Sequence, residues 1–184
     1  MSLFDSLKKV AQTVAAPGPD IRKVTLSSLP SSVEEMRALP EFDRKDPFVI
    51  AALTVAAFCV YPVNKDIAIG MLNDLKGPSP LSAMDISFIR DRFMDGKDYL
   101  PHSYFEGATP DNGYEPAALI IPVKEQPNSR DAENTITLYL ISGGADSPRP
   151  ITLRQKPSTG EWFLWEFRGI LAGIRVPKSQ DPWA

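Results

Sequence analysis

Residues 48–61 read Phe-Val-Ile-Ala-Ala-Leu-Thr-Val-Ala-Ala-Phe-Cys-Val-Tyr, fourteen positions without a charge. The run is too short to span a bilayer, which takes about 20 apolar residues. A helix that is apolar on every side belongs in the centre of a core. Its start is marked as well: Asp46 is an N-cap residue type and Pro47 suits the first helical position. Cys59 lies inside the run and reads as a small buried hydrophobe rather than a reactive thiol. This stretch therefore predicts a central helix around which the rest of the chain must be arranged.

Working outward, proline sets the limits of the other elements. The chain holds 18 prolines in 184 residues, about twice the usual share. They leave five long windows free, at 48–61, 63–77, 81–100, 128–147 and 158–176. Proline breaks helix interiors and central strands, so these windows are where regular structure is expected. In the second window Ala68, Met71, Leu72 and Leu75 fall on one helical face, closed by Gly77 and Pro78. In the third, Ser82 and Asp85 have the spacing of a capping box, and Ile86, Ile89 and Phe93 form an inner stripe. A shorter helix capped by Ser31 or Ser32 runs to Leu39.

Beyond residue 117 the period changes to two. Ile136, Leu138 and Leu140 alternate with Thr135, Thr137 and Tyr139, and Ile151 and Leu153 with Thr152, Arg154 and Lys156. Ser158-Thr159-Gly160 forms a turn into Glu161–Phe167. There Trp162 and Leu164 point one way and Phe163, Trp165 and Phe167 the other, which predicts a central strand. Further strands are expected at Leu119–Val123 and Ile170–Val176, with a short one at Val24–Leu26. The expected fold is α+β: a group of three helices on one face of a C-terminal antiparallel sheet of four to five strands. Residues 20–184 read as a single domain, preceded at 1–19 by an amphipathic helix and a Pro/Gly linker. That helix is expected to dock on the domain or to fray. Membrane-surface recruitment through residues 1–16 is an alternative, though two lysines are a thin electrostatic attachment.

Composition narrows function by exclusion. With 43% hydrophobic and 23% charged residues the chain is not disordered as a whole. A net charge of −3 gives no reason to expect double-stranded nucleic acid as a partner. One cysteine and one histidine exclude a disulfide framework, a thiolate zinc cluster and any site needing two histidines. Neither a metal nor an organic cofactor is expected. Asp91 to His102 fails the calcium-loop template, with Phe93 at the third ligand position and His102 at the twelfth. Gly143-Gly144-Ala145-Asp146 lacks the lysine of a phosphate loop.

Two regions remain as site candidates. One is the segment Lys97–Pro116, long for a structureless loop and rich in Tyr99, His102, Tyr104 and Tyr114. The other is the stretch 149–178, where six basic residues face only Glu161 and Glu166, whereas residues 1–116 carry 12 basic and 16 acidic side chains. Here Arg149 and Arg154 stand among Trp162, Phe163 and Trp165, a combination suited to an anion, a peptide or single-stranded nucleic acid. The expected function is a cytoplasmic, non-enzymatic domain binding an unidentified protein, a peptide or a small anionic ligand, without membrane contact. The alternative is a small hydrolase or transferase using His102 with Asp98, Glu106 or Asp146.

Several segments together resemble a family of uncharacterised bacterial proteins. They are Asp46-Pro47-Phe48 with its Ala-rich helix, Leu75-Lys-Gly-Pro78, Phe88 to Asp98, Ser103 to Pro110, Gly143 to Arg149, and Asp181-Pro-Trp-Ala184. The resemblance covers about residues 30–184 and implies no activity, substrate or catalytic residue.

Overall fold

The computed structural model describes residues 20–184. The amphipathic helix and linker expected over 1–19 lie outside the described residues. The helix predicted from the apolar run is α2, Pro47–Val60, counted after a short α1, Val33–Ala38. The Asp46 carboxylate accepts a hydrogen bond from the Phe48 amide, and every residue from Pro47 to Phe58 is buried. Thr54, the polar exception, donates its hydroxyl to the Ile50 carbonyl at 2.8 Å, so the helix buries no unmet side-chain donor there. Among the described residues no helix is long and apolar enough to cross a membrane.

Two further helices pack around it: α3, Lys65–Lys76, and α4, Ala83–Arg92. Asn64 caps α3 through the Ile67 amide, and Ser82 with Asp85 forms the full capping box of α4. Each cap satisfies amides that would otherwise lack a partner at the helix start. The Asp74 carboxylate on α3 holds Arg44 (2.6 Å) and also Arg37, tying α1 and the turn before α2 to the same helix.

The sheet has five antiparallel strands in the order β1-β2-β3-β4-β5. They are Asp20–Thr25, Ile120–Glu125, Thr135–Leu140, Arg149–Lys156 and Glu161–Glu166. Ile121, Val123, Ile136, Leu138, Leu140, Ile151, Leu153 and Leu164 are fully buried in one core with α2. The alternate residues, such as Thr137, Arg154 and Trp165, point away from that core.

Three expectations need correction. The described residues hold four α-helices, and these do not all precede the sheet, because β1 comes first and pairs Thr25 with Ile120. Its local signal is weak since only Val24 of the strand is buried; pairing with β2 makes it a strand. Second, β5 is an edge strand and not a central one. Its outer edge is closed by the Trp162 amide donating to the Arg44 carbonyl (2.7 Å) and by Lys76 Nζ donating to the Trp165 carbonyl (3.2 Å). Blocking an edge in this way removes a template for unwanted strand pairing. Third, the strand expected at Ile170–Val176 is absent. Arg168–Leu171 forms a 3₁₀ turn that buries Ile170 and Leu171, and Gly173 follows at φ 69°.

The end of α3 offers a direct test of this packing. Gly77 sits at φ 57°, and a Cβ there would stand 2.3 Å from the Phe163 ring. Gly70, within the same helix, would meet only Val33 Cγ2 at 3.8 Å. Gly77→Ala is expected to lower stability by about 1–3 kcal/mol, whereas Gly70→Ala should raise it by about 0.5–1 kcal/mol. Urea unfolding of both variants checks the pair.

A cationic and aromatic cleft at the edge of the sheet

The loop rich in tyrosine is packed as an extension of the core. It holds two 3₁₀ turns, Pro101–Tyr104 and Pro110–Asn112. Tyr99 and Tyr114 stack with centroids 5.4 Å apart and planes inclined by 10°. Leu100, Ala108 and the half-buried Ile174 fill the space around them. The Tyr104 hydroxyl donates to the Ile170 carbonyl and that of Tyr114 to the Arg175 carbonyl, both at 2.6 Å. Burial pushes the Tyr114 hydroxyl up to about 12, and that of Tyr104 further above the usual range. Two of the candidate ligand residues are therefore committed to holding the C-terminal segment.

His102 is half-buried and packs on Phe105, with ring centroids 6.4 Å apart. Burial lowers its pKa, against a weaker opposing pull from Asp98. The other two carboxylates considered with it are engaged elsewhere, Glu106 with Lys23 (3.0 Å) and Asp146 with Arg175. Ser103, its neighbour, donates to the Leu100 carbonyl and accepts from Ser142. These hydroxyls close a buried turn.

The basic stretch 149–178 divides by partner. Arg168 pairs with Asp85 (2.6 Å) and Glu166, Arg175 with Asp146, and Lys178 with Asp111 (2.6 Å). Arg149 Nη2 donates to the Gly173 carbonyl at 2.7 Å. A hollow of about 600 Å³ between Thr109, Gly143, Arg175 and Lys178 is thus lined by cations already neutralised. Of the aromatic candidates, Trp162 faces the helices and is buried. Arg154 and Trp165 remain, and they meet: the guanidinium lies 4.8 Å from the indole centroid.

They line a cleft of about 270 Å³ where the β4–β5 hairpin passes the end of α3. Its cations are Lys76, Arg154 and Lys156, its aromatic walls Phe163 and Trp165, and its remaining polar groups include Ser79, Asn134 and Gln155. No carboxylate is among the lining residues. Glu161 pairs in register with Lys156 on the neighbouring strand but lies outside the lining. Burial lowers the pKa of Lys76 most, while Asp85 and Glu166 act in the opposite direction. Sequence reasoning grouped Arg154, Lys156, Phe163 and Trp165 in one basic, aromatic stretch but missed Lys76, Asn134 and Gln155 as members of the site. The register that sets Phe163 opposite Arg154 follows from the Ser-Thr-Gly turn. The approach of α3 carries no local signal.

Fold and cleft together define a two-layer α+β domain with one electropositive, aromatic recess at the sheet edge. The chain belongs to the family described as domain of unknown function DUF6935, whose profile matches residues 28–178. Comparison with curated proteins and with solved structures returns no match.

The histidine supplies a pH test. Its folded pKa is below the ordinary 6.5, so its contribution to stability is complete above that value. As pH falls through this range the unfolded chain takes up the proton first, and that stability is lost. The drop in melting temperature between about pH 8 and pH 5.5 is expected to be smaller in His102→Gln than in the parent protein. Equal drops in both would show that His102 contributes nothing to acid sensitivity.

Proposed function

We propose that the protein is a non-enzymatic binding module whose cleft between α3 and the β4–β5 hairpin takes a small ligand with a negative group and a flat apolar part. One observation carries this reading: three cations and two aromatic walls converge with no carboxylate among the residues lining the cleft. Elsewhere in the basic stretch Arg168, Arg175 and Lys178 are neutralised by acids. Beside apolar walls the effective dielectric is lower than in bulk water, so cations there attract an anion more strongly than in open water. Arg154 is held in place by its stack on Trp165, which reduces the entropy lost on binding. At about 270 Å³ the cleft is near the lower end of small-molecule sites, so it suits a small molecule better than an extended chain.

The loop at 97–116 drops out of the proposed site because its tyrosines are packed and hydrogen-bonded. The enzymatic alternative has less support. Among the described residues His102 takes part in no ion pair, and the adjacent Ser103 is held by Leu100 and Ser142.

Phenyl phosphate is a direct probe, with benzyl alcohol as its neutral counterpart. Calorimetric titration should show binding of the first and none of the second. Arg154→Ala or Lys156→Ala should each weaken it by about ten- to a hundredfold, the loss of one charge-assisted hydrogen bond of about 1.5–3 kcal/mol. Both side chains are exposed, so the melting temperature should barely move. Equal affinity for the charged and neutral probes would refute the proposal.

A further inference from the structure

We infer that the ligand of this cleft is a nucleoside phosphate, with its base stacked on the Arg154–Trp165 pair and its phosphate at Lys156. This inference rests on the reading of the cleft as an anion site with a flat apolar wall. It goes further by using the arrangement of that wall and the amide beside it.

Arg154 and Lys156 stand two residues apart on β4, so both project from the same sheet face about 7 Å apart. Trp165 projects from the same face of β5 beside Arg154, while Glu161 stands in register with Lys156. The Arg154 guanidinium lies over the indole, and Trp165 is 45% exposed, so the stack is open to solvent. Guanidinium planes and indole rings are the surfaces on which proteins stack unpaired bases. A base laid on this pair would leave its sugar and phosphate within reach of the next cation along the strand, Lys156.

An amide favours a base over a plain aromatic ring. Asn134 lines the cleft, and carboxamides are the side chains that pair with base edges. Gln155 lies between Arg154 and Lys156 and so projects from the opposite sheet face, where its Nε2 donates to the Gly160 carbonyl at 3.1 Å; Asn134 is the amide left to meet a ligand edge. A benzoate or phenyl phosphate would satisfy the cations and the stack but give this amide no partner. A nucleoside phosphate satisfies all three.

The same chemistry is offered by a free mononucleotide and by the phosphorylated end of a single strand, and titration separates the two. Adenosine 5′-monophosphate, adenosine, inorganic phosphate, phenyl phosphate and a 5′-phosphorylated four-nucleotide single strand are titrated against the whole protein by calorimetry. The inference expects the mononucleotide to bind at least tenfold tighter than phenyl phosphate, adenosine or phosphate. Similar affinity for the four-nucleotide strand would identify a strand end as the source; weaker binding would identify the free nucleotide. Arg154→Lys keeps the charge and removes the plane. It should weaken the mononucleotide about tenfold and leave inorganic phosphate unchanged. Phenyl phosphate binding as tightly as the mononucleotide would overturn the nucleotide assignment while the anion site stood. Binding of none of the probes would overturn both.

Discussion

A helix with no polar side has to be enclosed by its own protein, and the enclosure of α2 positions nearly everything else. The inward residues of the sheet share its core, α3 and α4 share it from the helical layer, and Tyr104 and Phe105 reach it from the loop after α4. Fully burying one large aliphatic or aromatic side chain stabilises by about 1.5–3 kcal/mol, and α2 buries Phe48, Val49, Ile50, Leu53, Val55 and Phe58 at once. Met36 of α1 and Ile170 and Leu171 of the C-terminal segment also join this core, and polar ties add to that packing. Asp74 with its two arginines fastens α1 and the turn before α2. The tyrosine hydroxyls fasten the C-terminal segment.

The legible and illegible parts of the sequence divide along this line. Caps are local: Asp46 before Pro47 and Ser82 with Asp85 each act within three residues, and both helices start where the sequence places them. Alternation in β3 and β4 is local too, because one face of the sheet is buried and the other is not. β5 misleads for a physical reason. Apolar residues on both faces suggested neighbours on both sides, but Phe163 is covered by Arg44 (5.2 Å from the ring centroid) and by the Gly77 turn. Trp165 is covered in part by Arg154. Arginine stems and guanidinium planes thus do what a second covering layer would have done on that face. The loop at 97–116 misleads in the opposite sense. Its aromatic residues are there to fill space against Ile174 and to reach the carbonyls of residues far along the chain. No pattern within twenty residues distinguishes that from a binding loop.

Charge follows the same logic. Most cations of the last third of the chain hold segments together. Arg149 reaches Gly173, Arg168 reaches α4, Arg175 reaches the turn after β3, and Lys178 reaches Asp111. Such exposed pairs add little stability one by one, but here they span segments distant in sequence. What distinguishes Arg154 and Lys156 is that, among the described residues, neither is held in an ion pair, although Glu161 stands in register with Lys156. A run of basic residues in sequence therefore separates, once folded, into a set that ties the structure and a pair that is left over.

The placement of β1 has a kinetic consequence. β1 is hydrogen-bonded to β2 along its whole length, yet all four helices lie between the two strands in the chain. The hairpins from β2 to β5 and the contacts of α2 with α3 close short loops, whereas the β1–β2 pair closes a long one. Its formation depends on the helical layer already being in place, since the loop entropy is otherwise uncompensated. Loop length thus predicts that β1 joins last during folding. Of its residues only Val24 is buried, so it is held mainly by backbone pairing and by the ion pairs of Arg22 with Asp46 and Lys23 with Glu106. The two edges of this sheet are thus held differently: β5 by Arg44 and Lys76 along its open side, β1 by its partner strand and two surface ion pairs.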